Sequence, residues 1–224
     1  RVVFHRHRDY LCKVTTDAEA SARVEAGNST EQLSELIQAA AGEVGVSLTT
    51  EQLSALATHF RLLLQWNQKI NLTAIRDPRQ IATRHFAESL FLATLISPPG
   101  GSFVDVGSGG GFPGFPLQAV WPEASAVLLE PNQKKAAFLK EVVRQCVWRA
   151  ARVRTDRLED AARGELAGRA QLVTMRAVAP TEAVLRDIAA LLEADGIVAL
   201  YLGAADAAAV ARSPLFQWRG EQPI

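Results

Sequence analysis

Ten residues, Asp105 to Gly114, hold one carboxylate, four glycines in five positions (Gly107, Gly109, Gly110, Gly111), Gly114 itself and Pro113. Glycine takes positive φ at little cost and lets another molecule approach the backbone. The apolar run "SFVDV" precedes these residues. Pro113 and Pro116 suit the first turn of a following helix, whose leading N–H groups lack partners inside the helix. Strand, glycine turn and helix N-terminus together predict a site for an anionic or strongly polar group. Glu130, after the next apolar run "SAVLL", is placed for the hydroxyls of a ribose.

Two ligand classes match the loop. Gly109 to Gly114 fits the G-x-G-x-x-G dinucleotide pattern, which alone is a weak signal. Read from Asp105, the loop is D-x-G-x-G-x-G, similar to the first motif of class I S-adenosylmethionine (SAM) methyltransferases. An NAD-binding oxidoreductase needs a substrate extension and a proton-relay His, Tyr or Lys. Beyond Gly107 there is no His, and Tyr201 is the only Tyr. Methyl transfer from a sulfonium is an in-line displacement that depends largely on positioning.

Absences narrow the acceptor. The segment after the fourth apolar run reads "TMRAVAP", not the (Asp/Asn)-Pro-Pro-(Tyr/Phe) of exocyclic-amine methylation. Methylation at carbon 5 of a pyrimidine needs a cysteine nucleophile. Cys12 and Cys146 neither follow a proline nor end an apolar run. A ring nitrogen with a free lone pair, such as guanine N7, needs no base and no covalent step. No catalytic side chain and no metal cluster are expected.

The elements that must carry the loop follow from periodicity. Ser29–Gln32 and Thr49–Gln52 read as capping boxes. Leu53, Leu56, Ala57, Phe60, Leu63 and Leu64 then form one helical stripe. Asp77-Pro78 restarts a helix that runs to about Ile96, with His85 as a satisfied core histidine. "SPPGG" ends it, and five short apolar runs alternating with helix-length stretches predict βαβ units and a parallel sheet.

Of the 224 residues, 48% are hydrophobic and 21% charged, an ordinary globular composition. No apolar run is long enough for a membrane span, and two isolated cysteines read as thiols of a reducing, cytoplasmic compartment. Formal net charge is zero, yet residues 134–157 hold eight bases against two acids, a local field that favours an anionic partner.

"WNQKINLTAIRDP", "RHFAESL", "DVGSGGGFPGFPL", "KKAAFL", "RLE" and "MRAVAP" together resemble the RsmG (GidB) family, bacterial 16S ribosomal RNA guanine-N7 methyltransferases. The resemblance runs from about Leu62 to Gly203. It implies SAM as cofactor and the 16S rRNA or small ribosomal subunit as partner. It implies cofactor contacts at Gly107 and Phe112 in the loop, Leu158 and Glu159 beside the adenine, and Arg176 after the fourth strand; the reading of the loop and strand ends adds Gly109, with Glu130 on the ribose. Arg84, Lys134, Lys135 and Arg144 are expected on RNA phosphates. The chain departs from the family at Tyr201-Leu202-Gly203, where Leu-Lys-Gly is usual.

The expected architecture is α/β. A poorly ordered tail spans residues 1–27 and a small helical N-terminal domain 28–97. A Rossmann-like class I methyltransferase sheet of five or six strands spans 98–224. "FQWRGEQPI" supplies at most one late strand, so a sheet edge is left exposed. The protein is expected to be a monomer. The alternatives are the oxidoreductase above and a truncated, non-catalytic SAM- or RNA-binding protein.

Overall fold

The computed structural model describes residues 4–5 and 29–217. Among these residues six parallel strands form one sheet: β1 (Phe4–His5), β2 (Ser102–Val106), β3 (Ser125–Leu129), β4 (Ala151–Arg154), β5 (Ala170–Arg176) and β6 (Leu192–Leu202). Their spatial order is β1-β6-β5-β2-β3-β4. From β2 the chain winds outward through β3 and β4, then returns to β5 on the other side of β2. Strand order therefore reverses between β2 and β5, where an open α/β sheet leaves a crevice at its carboxyl edge.

Both faces of the sheet are covered, so the strands read as nearly continuous apolar runs. Alternation along each strand sorts the side chains. Phe103, Ala126, Leu128, Leu172 and Ala199 face one core, and Val104, Val127, Leu129, Val173 and Val198 the other. The second core is closed by α7 (Leu158–Arg163), α8 (Glu182–Leu191) and α9 (Ala204–Val210).

The first core is closed by α5 (Gly114–Val120) and α6 (Gln133–Cys146), and by α1 (Thr30–Glu43) and α2 (Thr50–Asn67). A continuous helical stretch also contributes: α3 (Pro78–Ile81), a π-helical segment (Ala82–Ala87) and α4 (Glu88–Leu95). Leu33, Ile37, Leu56, Phe60 and Phe86 pack into the same cluster as Phe103, Phe115 and Leu128. The N-terminal helices thus share one core with the sheet.

Local signals form as their chemistry requires. Both capping boxes close, Ser29 with Gln32 and Thr49 with Gln52. Asp77 caps α3 by accepting from the Arg79 N–H, with Pro78 at the first helical position. The π segment has no counterpart in the sequence pattern, which reads as plain helix.

The expectation of an exposed sheet edge changes at one end of β6. Phe4–His5, assigned from sequence to the tail, pairs in parallel with Tyr201 and Leu202 on the outer side of β6. A two-residue pairing has no periodicity to read, which is why the sequence did not show it. The rest of the expected tail and residues 218–224 lie outside the described residues. Phe216 and Gln217 form no strand. Leu202, where the family usually has lysine, is buried in the second core.

Gly111 is fixed by packing as well as by dihedral angle. Its φ is +86°, and a Cβ there would lie 2.2 Å from Cδ2 of Phe115, a fully buried ring. Gly111→Ala should destabilise the fold by about 3 kcal/mol, from left-handed strain plus overpacking. Thermal unfolding monitored by circular dichroism should show a midpoint about 6–12 °C lower.

Candidate functional site

Register brings the sequence-predicted residues to one edge. Val106 pairs with Leu129, Leu129 with Arg154, and Val106 with Met175. Strands β2, β3 and β4 therefore end level, and β5 ends one residue later at Arg176. Gly107, Glu130, the approach to Leu158 and Arg176 all lie along this carboxyl edge. Ala177, next in the chain, has φ +56°, an uncommon left-handed conformation for a residue with a Cβ.

The glycine loop is pinned at successive points. The Gly107 and Ser108 N–H groups donate to the Leu129 carbonyl at 2.9 and 3.1 Å. The Gly109 N–H donates to Glu130 Oε2 at 2.9 Å, and the Asn132 N–H to Glu130 Oε1 at 2.9 Å. Glu130 is 5% exposed, so the carboxylate at the end of β3 shapes the loop and keeps one lone pair on each oxygen for a hydroxyl donor. Gly107 has φ +70°, and a Cβ there would meet Val178 Cγ2 at 2.7 Å.

Asp105 organises the far side of the loop. Its carboxylate is fully buried and accepts from the Thr174 hydroxyl at 2.8 Å and the Gly114 N–H at 3.3 Å. Burial pushes its pKa up to about 6, against hydrogen bonds from Thr174, Ser108 and Gly114 that favour the charged form. The expectation of an anionic or strongly polar group held by the helix N-terminus is corrected here. The Gly114 N–H goes to Asp105, the Phe115 N–H goes to the Gly111 carbonyl at 2.8 Å, and Pro113 and Pro116 have no N–H. The first turn of α5 is satisfied from within the chain. The sequence signal failed because it counted orphan donors without placing the Asp105 carboxylate beneath them.

Arg176 points into the helical layer. Its Nη2 donates to the Arg84 carbonyl at 2.9 Å and to His85 Nδ1 at 2.5 Å, and its Nη1 lies 3.8 Å from Glu88 Oε2. A guanidinium cannot accept, so His85 Nδ1 is bare and its proton sits on Nε2. That nitrogen meets Thr73 Oγ1 at 2.7 Å. Burial and the Arg176 charge lower the His85 pKa to about 3. Asn67 orders the preceding turn by accepting from the Leu72 and Thr73 N–H groups and donating to the Thr73 carbonyl. Asn67, Thr73 and His85 thus link the end of α2 to the end of β5. The sequence singled out the segments that hold them but gave none of them this role.

The other predicted residues separate. Phe112 is buried at 8% exposure among His59, His85 and Phe86, with its ring stacked on His85 at 4.8 Å. Leu158 and Glu159 begin α7, half-buried, after a turn braced by Arg154 against Asp156 and Glu165. Arg84 is half-buried in the π segment. Lys134 and Lys135 stand in the first turn of α6, where Asn132 accepts from both their backbone N–H groups. Arg144 is exposed and holds Glu141 through two hydrogen bonds of 2.8 and 2.7 Å. Sequence reasoning missed His59, although it falls three residues after Leu56 on the apolar stripe of α2. Among the described residues no cluster of His, Cys, Asp or Glu could hold a metal, and no helix is long and apolar enough to cross a membrane.

A parallel sheet reversing at β2, a D-x-G-x-G-x-G loop after that strand and an acid after the next define a Rossmann-like class I methyltransferase fold. The family model described as rRNA small subunit methyltransferase G (GidB) matches residues 52–214, and the chain belongs to that family. A ribosomal RNA small subunit methyltransferase G of Stutzerimonas stutzeri (strain A1501) is 42% identical over 102 residues, 46% of this chain and 47% of that protein. Its namesake in Acetivibrio thermocellus (strain ATCC 27405) is 41% identical over 108 residues, 48% and 44% of the two chains. The chain spans about half the length of the curated relatives it matches. Among solved structures, a predicted O-methyltransferase from Agrobacterium tumefaciens, protein Atu636, aligns at 19% identity and a TM-score of 0.48, covering 55% of this chain and 65% of that one.

The raised pKa of Asp105 sets a pH dependence. The folded value of about 6 exceeds the ordinary 3.8, so folding takes up a proton between those values. The corresponding stability is fully present below about pH 4 and lost as pH rises through 6. Asn at this position keeps one acceptor for Gly114 and one donor for the Thr174 oxygen, and it does not titrate. Urea denaturation should show the wild type losing about 1 kcal/mol relative to Asp105→Asn between pH 5 and pH 7.5. A constant difference across that range would show that Asp105 ionises as an ordinary aspartate.

Proposed function

We propose that this chain is a SAM-dependent methyltransferase acting on N7 of a guanosine in 16S rRNA of the small ribosomal subunit. The observation that carries the choice of cofactor is the closed first turn of α5. A dinucleotide places its pyrophosphate on the free N–H groups of that turn. Here Asp105 and Gly111 take the two N–H groups that exist, and Asp105 would bring a negative charge toward the phosphates. SAM has no phosphate and needs only close backbone approach and a hydroxyl acceptor. The positive-φ glycines Gly107 and Gly109 and the buried Glu130 fit those needs. Family membership and the names of the relatives support the same reading.

In this reading Gly107 and Gly109 admit the methionine and ribose side of the cofactor, and Glu130 accepts from the ribose hydroxyls. Leu158 and Glu159 border the adenine. Arg176, held by His85 and the Arg84 carbonyl, orients the cofactor or the target base, and Phe112 supports the loop from beneath. When bound, SAM supplies a methyl group already activated on a sulfonium. A guanine N7 lone pair would take that group as the methyl–sulfur bond breaks, releasing a neutral thioether and leaving the positive charge on the base, so the step needs no general base. Arg84, Lys134 and Lys135 meet RNA phosphates. Two lysines in the first turn of α6 oppose its dipole, and a bound phosphate would relieve that repulsion. Arg144, paired with Glu141 on the same helix, is the fourth such contact. The protein acts as a cytoplasmic monomer, residues 28–97 forming its helical part and 98–224 its cofactor-binding part.

The test is transfer of labelled methyl from SAM to small ribosomal subunits, with the product nucleoside identified and Gly107→Asp as control. N7-methylguanosine should form with the wild type and vanish with the variant, whose new side chain collides with Val178. SAM binding without transfer would instead support the non-catalytic alternative. NADH binding with no SAM binding would support the oxidoreductase.

A further inference from the structure

His59 stands outside the cofactor contacts assigned above, yet it reaches the glycine loop directly. It lies on α2, is completely buried, and its Nε2 is 2.8 Å from the Gly110 carbonyl oxygen. A carbonyl only accepts, so Nε2 carries the proton and Nδ1 is bare. Nδ1 is buried and has no hydrogen-bond partner among the described residues. Four phenylalanine rings enclose the imidazole: Phe112 at 4.8 Å, Phe115 at 5.1 Å, Phe86 at 5.3 Å and Phe138 at 6.1 Å between centroids. Such a box suits a hydrocarbon ring. A phenylalanine would fill it without leaving a buried nitrogen unsatisfied, which is a standing penalty on folding. What phenylalanine lacks is the N–H aimed at Gly110.

That N–H acts where the loop is softest. The peptide between Gly110 and Gly111 joins two residues without side chains, so its plane can rotate with little steric resistance. Two hydrogen bonds fix it. Its carbonyl goes to His59, and its N–H, on Gly111, goes to the Ser108 carbonyl at 2.6 Å. One residue earlier, the Gly109 N–H is held by Glu130. We propose that His59 is a positioning residue of the cofactor site, which sets the orientation of the Gly110–Gly111 peptide from below and so holds Gly107–Gly109 in the shape that admits SAM. This role rests on the SAM reading of the loop. Burial in the aromatic box lowers the His59 pKa to about 4, so the ring keeps its single N–H throughout the neutral range.

A packing role and a positioning role predict different results for two variants of the full chain. His59→Phe keeps the ring volume and removes the donor. His59→Gln places an amide nitrogen near the Nε2 position and restores it. SAM binding by calorimetry and thermal unfolding of the ligand-free protein are measured for both. His59→Phe should bind SAM about tenfold more weakly, the scale of one buried hydrogen bond, with its unfolding midpoint within about 3 °C of wild type. His59→Gln should recover affinity to within about threefold of wild type. Unchanged SAM affinity in His59→Phe overturns the positioning role while leaving the SAM reading intact. Equal loss of affinity and of unfolding midpoint in both variants also overturns it, leaving His59 as packing. No SAM binding by the wild type removes the cofactor reading, and this role with it.

Discussion

A carboxylate without access to water must be given hydrogen-bond donors by its own chain, and Asp105 imposes that demand at the middle of the sheet. One oxygen is met by Thr174 on β5, which fixes the side chains of two neighbouring strands relative to each other. The other is met by the Gly114 N–H, which ties the start of α5 beneath β2. The loop between Asp105 and Gly114 has eight residues in which to reverse direction, and only glycine can occupy its tightest points. Gly114 itself has no room for a side chain, because a Cβ there would lie 2.8 Å from the same carboxylate oxygen. Glycine content, proline placement and the start of the helix thus answer one buried charge.

The second organising element is the join between helices and sheet. Arg176 leaves the end of β5 and inserts among Arg84, His85 and Glu88, while His85 passes the connection to Thr73 and the turn ordered by Asn67. His59 makes a parallel connection from α2 to the loop. A polar chain of this kind is expensive to leave half-satisfied. It couples the carboxyl edge of the sheet to segments far away in sequence, so the helical layer helps to build the site it covers.

The fold was largely legible in the sequence because its signals are local. Capping boxes, the Asp77-Pro78 start and the alternation of β-branched runs with helical stretches each reflect backbone chemistry within a few residues. The carboxyl-edge placement of Gly107, Glu130 and Arg176 followed from strand ends alone. Features that depend on contacts across the chain were not legible. The closure of the α5 N-terminus needs Asp105 and Gly114 brought together by the turn itself. The inward course of Arg176 needs the position of His85. The pairing of Phe4–His5 with β6 spans almost the whole chain. His59 could have been noticed as a polar residue on an apolar stripe, but its donor role depends on a carbonyl 51 residues away.

The π-helical segment Ala82–Ala87 amounts to a single supernumerary residue absorbed within an otherwise ordinary helix. Each residue turns a helix by about 100°, so this one re-phases everything that follows it. Glu88, Ser89 and Leu92 face inward as buried residues because of that phase. The Arg84 carbonyl accepts from Arg176 at the widened turn, and the His85 carbonyl accepts from Ser89. Removing one residue here would change the length of the helix very little. It would rotate the two halves out of step, and either the core-facing leucines or the partners of Arg176 would be lost.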